Sequence, residues 1–321
     1  MEISNGGIRM SAPSSGGASR DGYGTALLNL ASDPRVVVIE ADLGKSTKSC
    51  LFREKYPDRT ISLGIAEQNM VLVAAGLASC GKVPFASTFA IFTERAFEQV
   101  RNGLARPGLV AHICGSHGGI HTGTDGSSAQ SIEDLALYRT IPGMTVMHPS
   151  DDLSATELTE QLLNHPSPSY TRTARNKTPR IYDENTVKSI KIGKGSVLKD
   201  GDDVAIIAIG VMVHKALQAA ENLASEGIQA TVVDMHTIKP LDTELLDRLS
   251  QTVSGIVTVE DHSVIGGLGS AVSEYLSENN PTKIRKIGVD DRFGESGDSE
   301  ELLDLVGLTI ESIETAAKSL F

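Results

Sequence analysis

The first candidate for chemistry is a single carboxylate, Glu67, at the head of a run of small and apolar residues. In the segment AEQNMVLVAAGLASCG, residues 66–81, Glu67 is the only charged side chain. The pattern predicts a helix over residues 66–80 that packs closely against other structure and is ended by Gly81. A buried carboxylate is costly unless it is paired or hydrogen-bonded, so Glu67 is a candidate catalytic residue. The alternative is a carboxylate that accepts hydrogen bonds from the exposed amides at the helix start.

A glycine-rich loop is the second candidate. The segment GSHGGIHTGTDG, residues 115–126, follows the apolar segment 109–114 and contains His117, His121 and Asp125. The two histidines are four residues apart, but they lie in a loop without further ligands, so no metal site is predicted. Loops at the carboxyl ends of parallel strands are where α/β proteins bind ligands, and we expect a ligand site here.

A glycine motif in the second half of the chain invites a different interpretation. The segment GGLGSAV, residues 266–272, resembles a dinucleotide-binding fingerprint, and Asp290 follows at about the distance of a ribose-binding acid. However, Val272 stands where the third glycine belongs. Close packing of a helix against a strand explains the glycines as well, and dinucleotide binding is the less favoured interpretation.

These candidates must be positioned by regular elements, and strand-like and helix-like segments alternate along the chain. In the first half, the patterns predict strands over residues 36–42, 109–114, 144–148 and 169–174, and helices over 66–80, over 93–105 with Thr93 as N-cap, and over 152–164 after Ser150. In the second half, they predict strands over residues 203–210, 229–235, 255–261 and 283–289, and helices over 212–226, 242–250 and 268–279.

This order predicts an α/β protein with two successive domains, each a mostly parallel sheet flanked by helices. We expect the domains at residues 18–180 and 201–321, with a linker over residues 181–200. The Ser/Gly/Pro-rich tail, residues 1–17, is expected to be disordered.

Composition restricts the class of protein. The chain has 321 residues, of which 40% are hydrophobic, and this is enough for a substantial core. A net charge of −12 argues against a nucleic-acid partner. No apolar run is long enough to span a membrane, and the N-terminus does not resemble a signal peptide. Three scattered cysteines, Cys50, Cys80 and Cys114, favour a reducing compartment, and we expect a cytoplasmic protein.

Longer segments resemble a known family. GIAEQNM, PFASTFAIFTERAFEQVRNGLA and TDGSSAQSIEDLALYRTIPGMTV closely resemble the pyrimidine-binding domain of transketolases. MHTIKPLD, VTVEDHSVIGGLGSAV and RFGESG are similar to the C-terminal domain of these enzymes. The resemblance extends from about residue 18 to the end of the sequence and implies the fold of those two domains.

The resemblance also implies an activity and a partner. Transketolases use thiamine diphosphate to transfer a two-carbon ketol unit from a ketose phosphate to an aldehyde. Their N-terminal domain holds the cofactor's diphosphate through Mg²⁺ with a Gly-Asp-Gly…Asn stretch, which this sequence lacks. The chain is therefore expected to be one subunit of a split transketolase, to self-associate as a dimer and to form an α2β2 assembly with a diphosphate-binding subunit that holds most of the Mg²⁺ contacts.

Individual residues take their expected roles from the resemblance. Glu67 would hydrogen-bond the aminopyrimidine ring of the cofactor and promote its reactive tautomer. Phe89 and Phe92 would stack around that ring, although core packing is the alternative for both. In full, the resemblance assigns catalysis to Glu67 and His117, cofactor binding to Asp42, Leu43, Glu67, Phe89, Phe92 and Arg95, and substrate binding to Arg20, Ser46, His117, Asp125 and Arg175.

One position departs from the family pattern. The family usually has Asp-Gly-x-x-His at the donor end of the site, and here Asp125 is followed by Gly126 and, at the place of the histidine, by Ala129. Alanine offers no hydrogen bond, so the ordinary pentose-phosphate substrates are in doubt. His121 lies nearby in sequence and is the candidate to substitute for the missing imidazole.

Three functions remain open at this point. The leading one is a split-transketolase subunit acting on a sugar phosphate. The second, in the same cofactor class, is the β subunit of a 2-oxoacid dehydrogenase or an enzyme like deoxyxylulose-phosphate synthase. The resemblance assigns Arg20, Ser46, His117 and Arg175 to the terminal phosphate of the substrate, and this assignment argues against small 2-oxoacids, which have no phosphate. The third is a non-catalytic regulatory or scaffold subunit, against which the retained Glu67, Phe89 and Phe92 weigh.

Overall fold

The structure, a computed structural model, describes residues 16–321. The predicted disordered tail, residues 1–17, lies outside the described residues except for its last two positions. The first described helix begins at Ser19 with Ala18 as its N-cap.

Six strands and eight helices make up the first half of the described chain. The strands are Val36–Glu40 (β1), Thr60–Ser62 (β2), Val83–Phe89 (β3), His112–Ser116 (β4), Thr145–Met147 (β5) and Ser169–Thr173 (β6). The helices are Ser19–Asn29 (α1), Gly44–Thr47 (α2), Cys50–Lys55 (α3), Glu67–Ser79 (α4), Ala90–Thr93 (α5), Phe97–Gln99 (α6), Asp134–Arg139 (α7) and Asp152–Gln161 (α8).

The second half contributes six further strands and five helices. The strands are Ser196–Lys199 (β7), Val204–Ala208 (β8), Ala230–Asp234 (β9), Thr237–Lys239 (β10), Ile256–Ser263 (β11) and Ile284–Val289 (β12). The helices are Val213–Ser225 (α9), Thr243–Thr252 (α10), Leu268–Asn279 (α11), Ser299–Leu305 (α12) and Ile310–Lys318 (α13).

The strands form two sheets, as the alternation predicts. The seven-stranded sheet has the order β10-β5-β6-β4-β3-β1-β2, and the five-stranded sheet has the order β12-β11-β8-β9-β7. Neighbouring strands are parallel except for β10 beside β5 and β7 beside β9. The α/β class with two mostly parallel sheets is thus confirmed.

The sequence patterns did not predict the strand that joins the two halves. β10 follows β9 after two residues, yet it pairs antiparallel with β5 at the edge of the first sheet. The Lys239 ammonium donates hydrogen bonds to the carbonyls of Arg139 and Ile141, which fixes this edge. The first sheet is therefore completed by a segment from the second half of the chain.

The range expected to be a linker, residues 181–200, contains ordered elements. Tyr182, Val187 and Ile190 are buried in the hydrophobic core, and β7 pairs with β9 at the edge of the second sheet. A few apolar side chains of this otherwise polar segment thus pack in the core.

One helix start and one N-cap differ from the predictions, whereas α8 begins at Asp152 as predicted. Thr93 is not an N-cap: it ends α5, which begins at Ala90, and its hydroxyl donates to the Ala90 carbonyl at 2.7 Å. The segment continues irregularly through 3₁₀ and π turns to residue 105. α8 is capped by Asp151, which accepts a hydrogen bond from the Ser154 amide at 2.7 Å, whereas the Ser150 hydroxyl donates to Asp234 Oδ2 at 2.9 Å.

Helix α4 is buried on one face only. Met70, Val71, Ala74 and Ala75 pack in the core, and burying the larger of these side chains contributes about 1.5–3 kcal/mol each. The outer face is apolar but exposed, and Leu72 is 51% accessible. Gly81, at φ +81°, follows the helix end as predicted. The expectation of close burial is correct for the inner face and wrong for the outer one.

Candidate active site

The candidate residues of the first domain lie at the carboxyl ends of the parallel strands of the seven-stranded sheet. The register pairs Phe89 with Ser116 and Ser116 with Thr173, so β3, β4 and β6 end side by side, and β1 ends beside β3. His117 directly follows β4, and Arg175 follows β6 by two residues. Parallel pairing thus brings together side chains that are far apart in sequence.

Two of these strand ends have strained backbones. Asp42 after β1 has φ +60° and His117 after β4 has φ +65°, a region that favours glycine. The loop after β1 is built around the buried carboxylate of Glu40, which accepts a hydrogen bond from the Ser49 hydroxyl at 2.8 Å. A Cβ at Gly44 would lie 2.0 Å from Glu40 Oε2, so only glycine fits there. Asp42, Leu43 and Ser46 thus lie just beyond the carboxyl end of β1.

Glu67 is the first residue of α4 and is only 4% exposed. Within residues 16–321 its carboxylate accepts no hydrogen bond, and its ion-pair contact is Arg95, with Nη1 3.7 Å from Oε2. The helix-capping alternative therefore lacks the amide hydrogen bonds that it requires. A buried carboxylate with one loose contact is available to a ligand.

An aromatic stack lies between Glu67 and the glycine-rich loop. The rings of Phe89 and Phe92 stack with centroids 5.6 Å apart, and Phe89 stacks on the His117 imidazole at 4.0 Å. The Arg95 guanidinium lies over the Phe92 ring, 4.8 Å from its centroid. Phe89 and Phe92 are only partly buried, so they form a wall with an open face more than a packed core.

Arg20 and His117 form the centre of a cationic cluster. Arg20 Nη1 lies 3.5 Å from His117 Nε2 and donates to the backbone carbonyl of Ser46 at 3.1 Å. Burial, with the nearby charges of Arg20 and Arg175, lowers the pKa of His117 to about 3, so the imidazole is neutral at pH 7. Within the described chain, the buried Nε of Arg20 has no partner, and such a donor is suited to an oxyanion.

The structure brings Arg175 and Asp125 together and leaves His121 apart from them. Arg175 Nε lies 3.4 Å from Asp125 Oδ2. The His121 imidazole is directed towards the second domain, with Nε2 3.9 Å from Glu300 Oε1. Ala129 is buried in the backbone turn after Asp125. His121 thus contacts Glu300, and the structure gives no support for its replacing the missing histidine at Ala129.

Comparison with known proteins agrees with this architecture. The sequence matches the family described as "Transketolase, pyrimidine binding domain" over residues 17–180 and "Transketolase, C-terminal domain" over residues 193–313. It is 44% identical over 297 residues to the "Putative transketolase C-terminal section" of Methanocaldococcus jannaschii, covering 92% of this chain and 93% of that protein. The chain belongs to the transketolase family.

Other members of the transketolase family show two lengths. The chain is 43% identical to the "6-deoxy-6-sulfo-D-fructose transketolase subunit SqwH" of Clostridium sp., covering 93% of this chain and 92% of that subunit. It is 40% identical to Homo sapiens transketolase but spans 49% of that protein. A solved structure titled "Split gene transketolase, inactive beta4 tetramer" is 45% identical with a TM-score of 0.88, covering 95% of this chain and 98% of that one.

One polar residue of this transketolase-family site was not predicted. Glu94 lies between the aromatic stack and α7 and accepts a hydrogen bond from the Ser131 hydroxyl at 2.6 Å. Burial, opposed by this hydrogen bond, raises the pKa of Glu94 to about 8. Glu94 precedes Arg95 in the segment that contains the candidates Phe89 and Phe92, and this position in the sequence could have marked it as a candidate as well.

The glycine motif at residues 266–269 has a structural role in this transketolase-family fold. The buried carboxylate of Glu260 accepts hydrogen bonds from the amides of Leu268 and Gly269 at 2.7 and 2.8 Å. A Cβ at Gly267 would lie 2.0 Å from Glu260 Oε2. The start of α11 is thus occupied by a carboxylate of the protein itself, which leaves no place for a nucleotide phosphate.

Two further properties concern the described part of the chain. Residues 16–321 include no group of three or more His, Cys, Asp or Glu side chains arranged to hold a metal ion. In the same residues, no helix has the length and apolar character needed to cross a membrane.

Proposed function

We propose that this chain is the pyrimidine-binding subunit of a two-component, thiamine diphosphate-dependent transketolase. It would transfer a two-carbon ketol unit from a sugar phosphate to an aldehyde, together with a separate diphosphate-binding subunit and Mg²⁺. The observation that carries the proposal is the convergence of Glu67, the aromatic stack and the Arg20–His117 cluster at one sheet edge. Relatives named as C-terminal sections or split subunits have matching lengths and support the division into two chains.

The residues present fit the pyrimidine half of the cofactor. The Glu67 carboxylate is buried and accepts no hydrogen bond from residues 16–321, so it is free to share a proton with a basic ring nitrogen of the ligand. Phe89 and Phe92 offer flat apolar surface for the ring, and Asp42 and Leu43 would contact the central part of the cofactor. When bound, thiamine diphosphate would supply the nucleophilic carbon and the electron sink that ketol transfer requires.

The chain's own residues would orient the reactants and manage protons. Glu67 would share a hydrogen bond with the bound ring through the carboxylate oxygen that does not face Arg95, and its place at the head of α4 fixes that oxygen relative to the aromatic stack. His117, neutral at pH 7, can donate or accept one hydrogen bond at Nε2, since Nδ1 is engaged by the Ser116 hydroxyl at 2.8 Å. Arg20 and Arg175 would hold the anionic end of the substrate, which fixes the distance to the reacting carbon.

The anionic group could be a sulfonate as well as a phosphate. The Clostridium relative is named for a 6-deoxy-6-sulfo-D-fructose substrate, and it is 43% identical to this chain. Two arginines beside a neutral His117 suit any tetrahedral oxyanion, and Asp125 neutralises part of the Arg175 charge. A singly charged sulfonate is therefore a second substrate candidate. Parallel assays with a C6 phosphate and a C6 sulfonate of the same ketose distinguish the two.

Reconstitution tests the proposal. The chain is purified alone and with a transketolase N-terminal-section chain from the same organism, and ketol transfer is measured with thiamine diphosphate and Mg²⁺. We expect no turnover from the single chain and turnover from an α2β2 complex. The 45% identical solved structure is described as an inactive β4 tetramer, which supports an inactive, self-associated form of this chain in the absence of a partner. Decarboxylation of pyruvate in place of ketol transfer would favour a 2-oxoacid enzyme, and a complex with neither activity would favour a scaffold.

A further inference from the structure

A buried carboxylate of the second sheet holds the glycine-rich loop of the first domain. Asp261, near the end of β11, is 1% exposed. Its Oδ1 accepts a hydrogen bond from the Ile120 amide at 2.8 Å, and its Oδ2 accepts one from the His121 amide at 3.0 Å. Both oxygens thus bind the backbone of the loop that leads to Asp125.

Further hydrogen bonds link this loop to Arg175, the arginine that is proposed to bind the anionic end of the substrate. The His121 carbonyl accepts a hydrogen bond from Asn176 Nδ2 at 2.7 Å. The Asn176 Oδ1 accepts a hydrogen bond from Arg175 Nη1 at 3.1 Å. Arg175 Nε in turn lies 3.4 Å from Asp125 Oδ2. Asp261, the His121 backbone, Asn176 and Arg175 therefore form one continuous hydrogen-bonded series, which we call the Asp261 relay.

Neighbouring groups hold both the backbone and the side chain of Asp261 in place. The Asp261 backbone carbonyl accepts a hydrogen bond from Arg172 Nη1 at 2.6 Å, and Arg172 is itself paired with the buried Asp134. Gly119 has φ +82°, and a Cβ there would lie 2.2 Å from Asp261 Oδ2. Because the loop passes this close to the carboxylate, a shift of Asp261 would move the loop with it.

We infer that Asp261 is a positioning residue that sets the orientation of the Arg175 guanidinium towards the anionic end of the substrate. Arginine has several rotatable bonds, and holding it in one orientation before binding lowers the entropic cost of binding an oxyanion. The inference rests on the proposed role of Arg175 in the sugar-phosphate site. Through Arg175 it gives the second domain an indirect part in substrate recognition.

Binding of inorganic phosphate tests the relay without turnover. The chain is titrated with phosphate against chloride of equal ionic strength, and the thermal midpoint is followed for the wild type, Asp261→Asn, Asn176→Ala and Arg175→Ala. The control Asp200→Asn makes the same change at an exposed position in the second domain. We expect the apparent Kd for phosphate to rise about fivefold in Asp261→Asn and in Asn176→Ala. The control should match the wild type.

Double variants locate the effect. If Asp261 acts through Arg175, Asp261→Asn should change phosphate binding no further in the Arg175→Ala background. In the reconstituted enzyme, Asp261→Asn should raise KM for the phosphorylated substrate and leave kcat within about twofold. Asn176→Ala leaves the buried carboxylate untouched and breaks the only described link of the relay to Arg175 Nη1, so unchanged phosphate affinity in this variant overturns the inference even if Asp261→Asn does not fold.

Three outcomes are distinguishable. Phosphate affinity that falls in both relay variants, and falls no further when Arg175 is already absent, supports the inference. Phosphate affinity that depends on Arg175 but is unchanged in both relay variants overturns the inference and leaves the proposed function standing. Equal phosphate affinity in the wild type and Arg175→Ala overturns the anion-binding role of Arg175, and the relay with it.

Discussion

At the scale of single residues, the unusual feature is that Glu67 is buried with so few partners. A carboxylate removed from water normally gains several hydrogen bonds in exchange, whereas Glu67 has a 3.7 Å contact with Arg95. Its neighbour Gln68 donates a hydrogen bond to the Arg95 carbonyl at 3.1 Å, which keeps Arg95 beside the carboxylate. The side chain is thus positioned by the fold and left open to a ligand.

Replacing Glu67 tests whether this openness serves catalysis. Glu67→Gln keeps the shape but removes the proton-sharing carboxylate, so ketol transfer by the reconstituted enzyme should fall by about 10²–10⁴-fold. The thermal midpoint should stay within a few degrees, because no described hydrogen bond depends on the charge. Glu54→Gln, the same change at an exposed position, is the control. Full activity in Glu67→Gln would rule out the proton-sharing role.

Replacing Arg175 tests whether the cationic cluster binds the anionic end of the substrate. A charged hydrogen bond to an oxyanion contributes about 1.5–3 kcal/mol, so Arg175→Ala should raise KM for phosphorylated substrates roughly ten- to hundredfold. Unphosphorylated analogues should be nearly unaffected. Arg106→Ala, at an exposed position, is the matched control. Equal losses for both kinds of substrate would show that Arg175 acts in folding or assembly instead.

Local sequence patterns identified the candidate residues of this site but not the residues that hold them in place. Glu67, Phe89 and Phe92 stand in recognisable local segments, and the structure gathers the predicted positions at one sheet edge. Asp261 and Asn176 gave no such signal. Asp261 reaches the loop across 140 residues of sequence and Asn176 across 55, and local patterns hold no information on contacts of that range.

At the scale of elements, two glycines in helical surroundings show opposite constraints. Gly267 at the start of α11 approaches Glu260 so closely that a Cβ would lie 2.0 Å from its carboxylate. Gly76 in the middle of α4 has open space where a Cβ would be. The motif that resembles a nucleotide-binding fingerprint is thus explained by helix capping from within the protein.

The two glycines give a matched pair of substitutions. Gly267→Ala should destabilise the chain by about 1–3 kcal/mol, because the Glu260 cap must move. Gly76→Ala should stabilise the helix by about 0.5–1 kcal/mol, because alanine loses less backbone entropy there. Urea unfolding of both variants measures the sign of each change in the free energy of unfolding. A Gly267→Ala variant as stable as the wild type would contradict the capping account.

Element prediction succeeded where one face or one run is uniformly apolar. β1, β8, β9 and β11 were anticipated because buried parallel strands are continuous apolar runs. β3 was not predicted, since Pro84 and small polar residues interrupt its pattern. β10 was not predicted because its three residues owe their conformation to pairing with β5, a tertiary effect.

At the scale of the whole molecule, buried histidines make stability depend on pH. The pKa values of all eight histidines are lowered by burial, to about 3 for His112 and His148 and about 4 for His236 and His262. The folded chain keeps these rings neutral, whereas the unfolded chain protonates them near pH 6.5. Their contribution to stability is therefore lost as the pH falls below that value.

Buried carboxyl groups oppose this trend but are fewer. Burial raises the pKa of Asp234 and Glu260 to about 7 and that of Glu94 to about 8, so their contribution is largest at low pH and lost as the pH rises through those values. Between pH 6.5 and 5 the histidines outnumber them, and unfolding takes up protons. The urea midpoint should therefore fall between pH 7 and pH 5. A higher midpoint at pH 5 would contradict the neutral burial of the histidines.

Cofactor binding also depends on a property of the whole molecule, its net charge. Under the proposed function the described residues would provide the pyrimidine side of the site, and the chain's net charge of −12 is unfavourable for a strongly anionic cofactor. Most of the cofactor's binding energy should then come from the Mg²⁺ and diphosphate contacts of another subunit. Binding and catalysis would both depend on assembly.

Calorimetry of thiamine diphosphate binding, with and without the partner, tests this claim most directly. The isolated chain should bind the cofactor more weakly than micromolar and turn over nothing. After addition of the diphosphate-binding subunit, Mg²⁺-dependent binding at micromolar or tighter affinity should develop together with ketol transfer. Micromolar or tighter binding to the isolated chain, accompanied by ketol transfer without any partner, would contradict the two-component account.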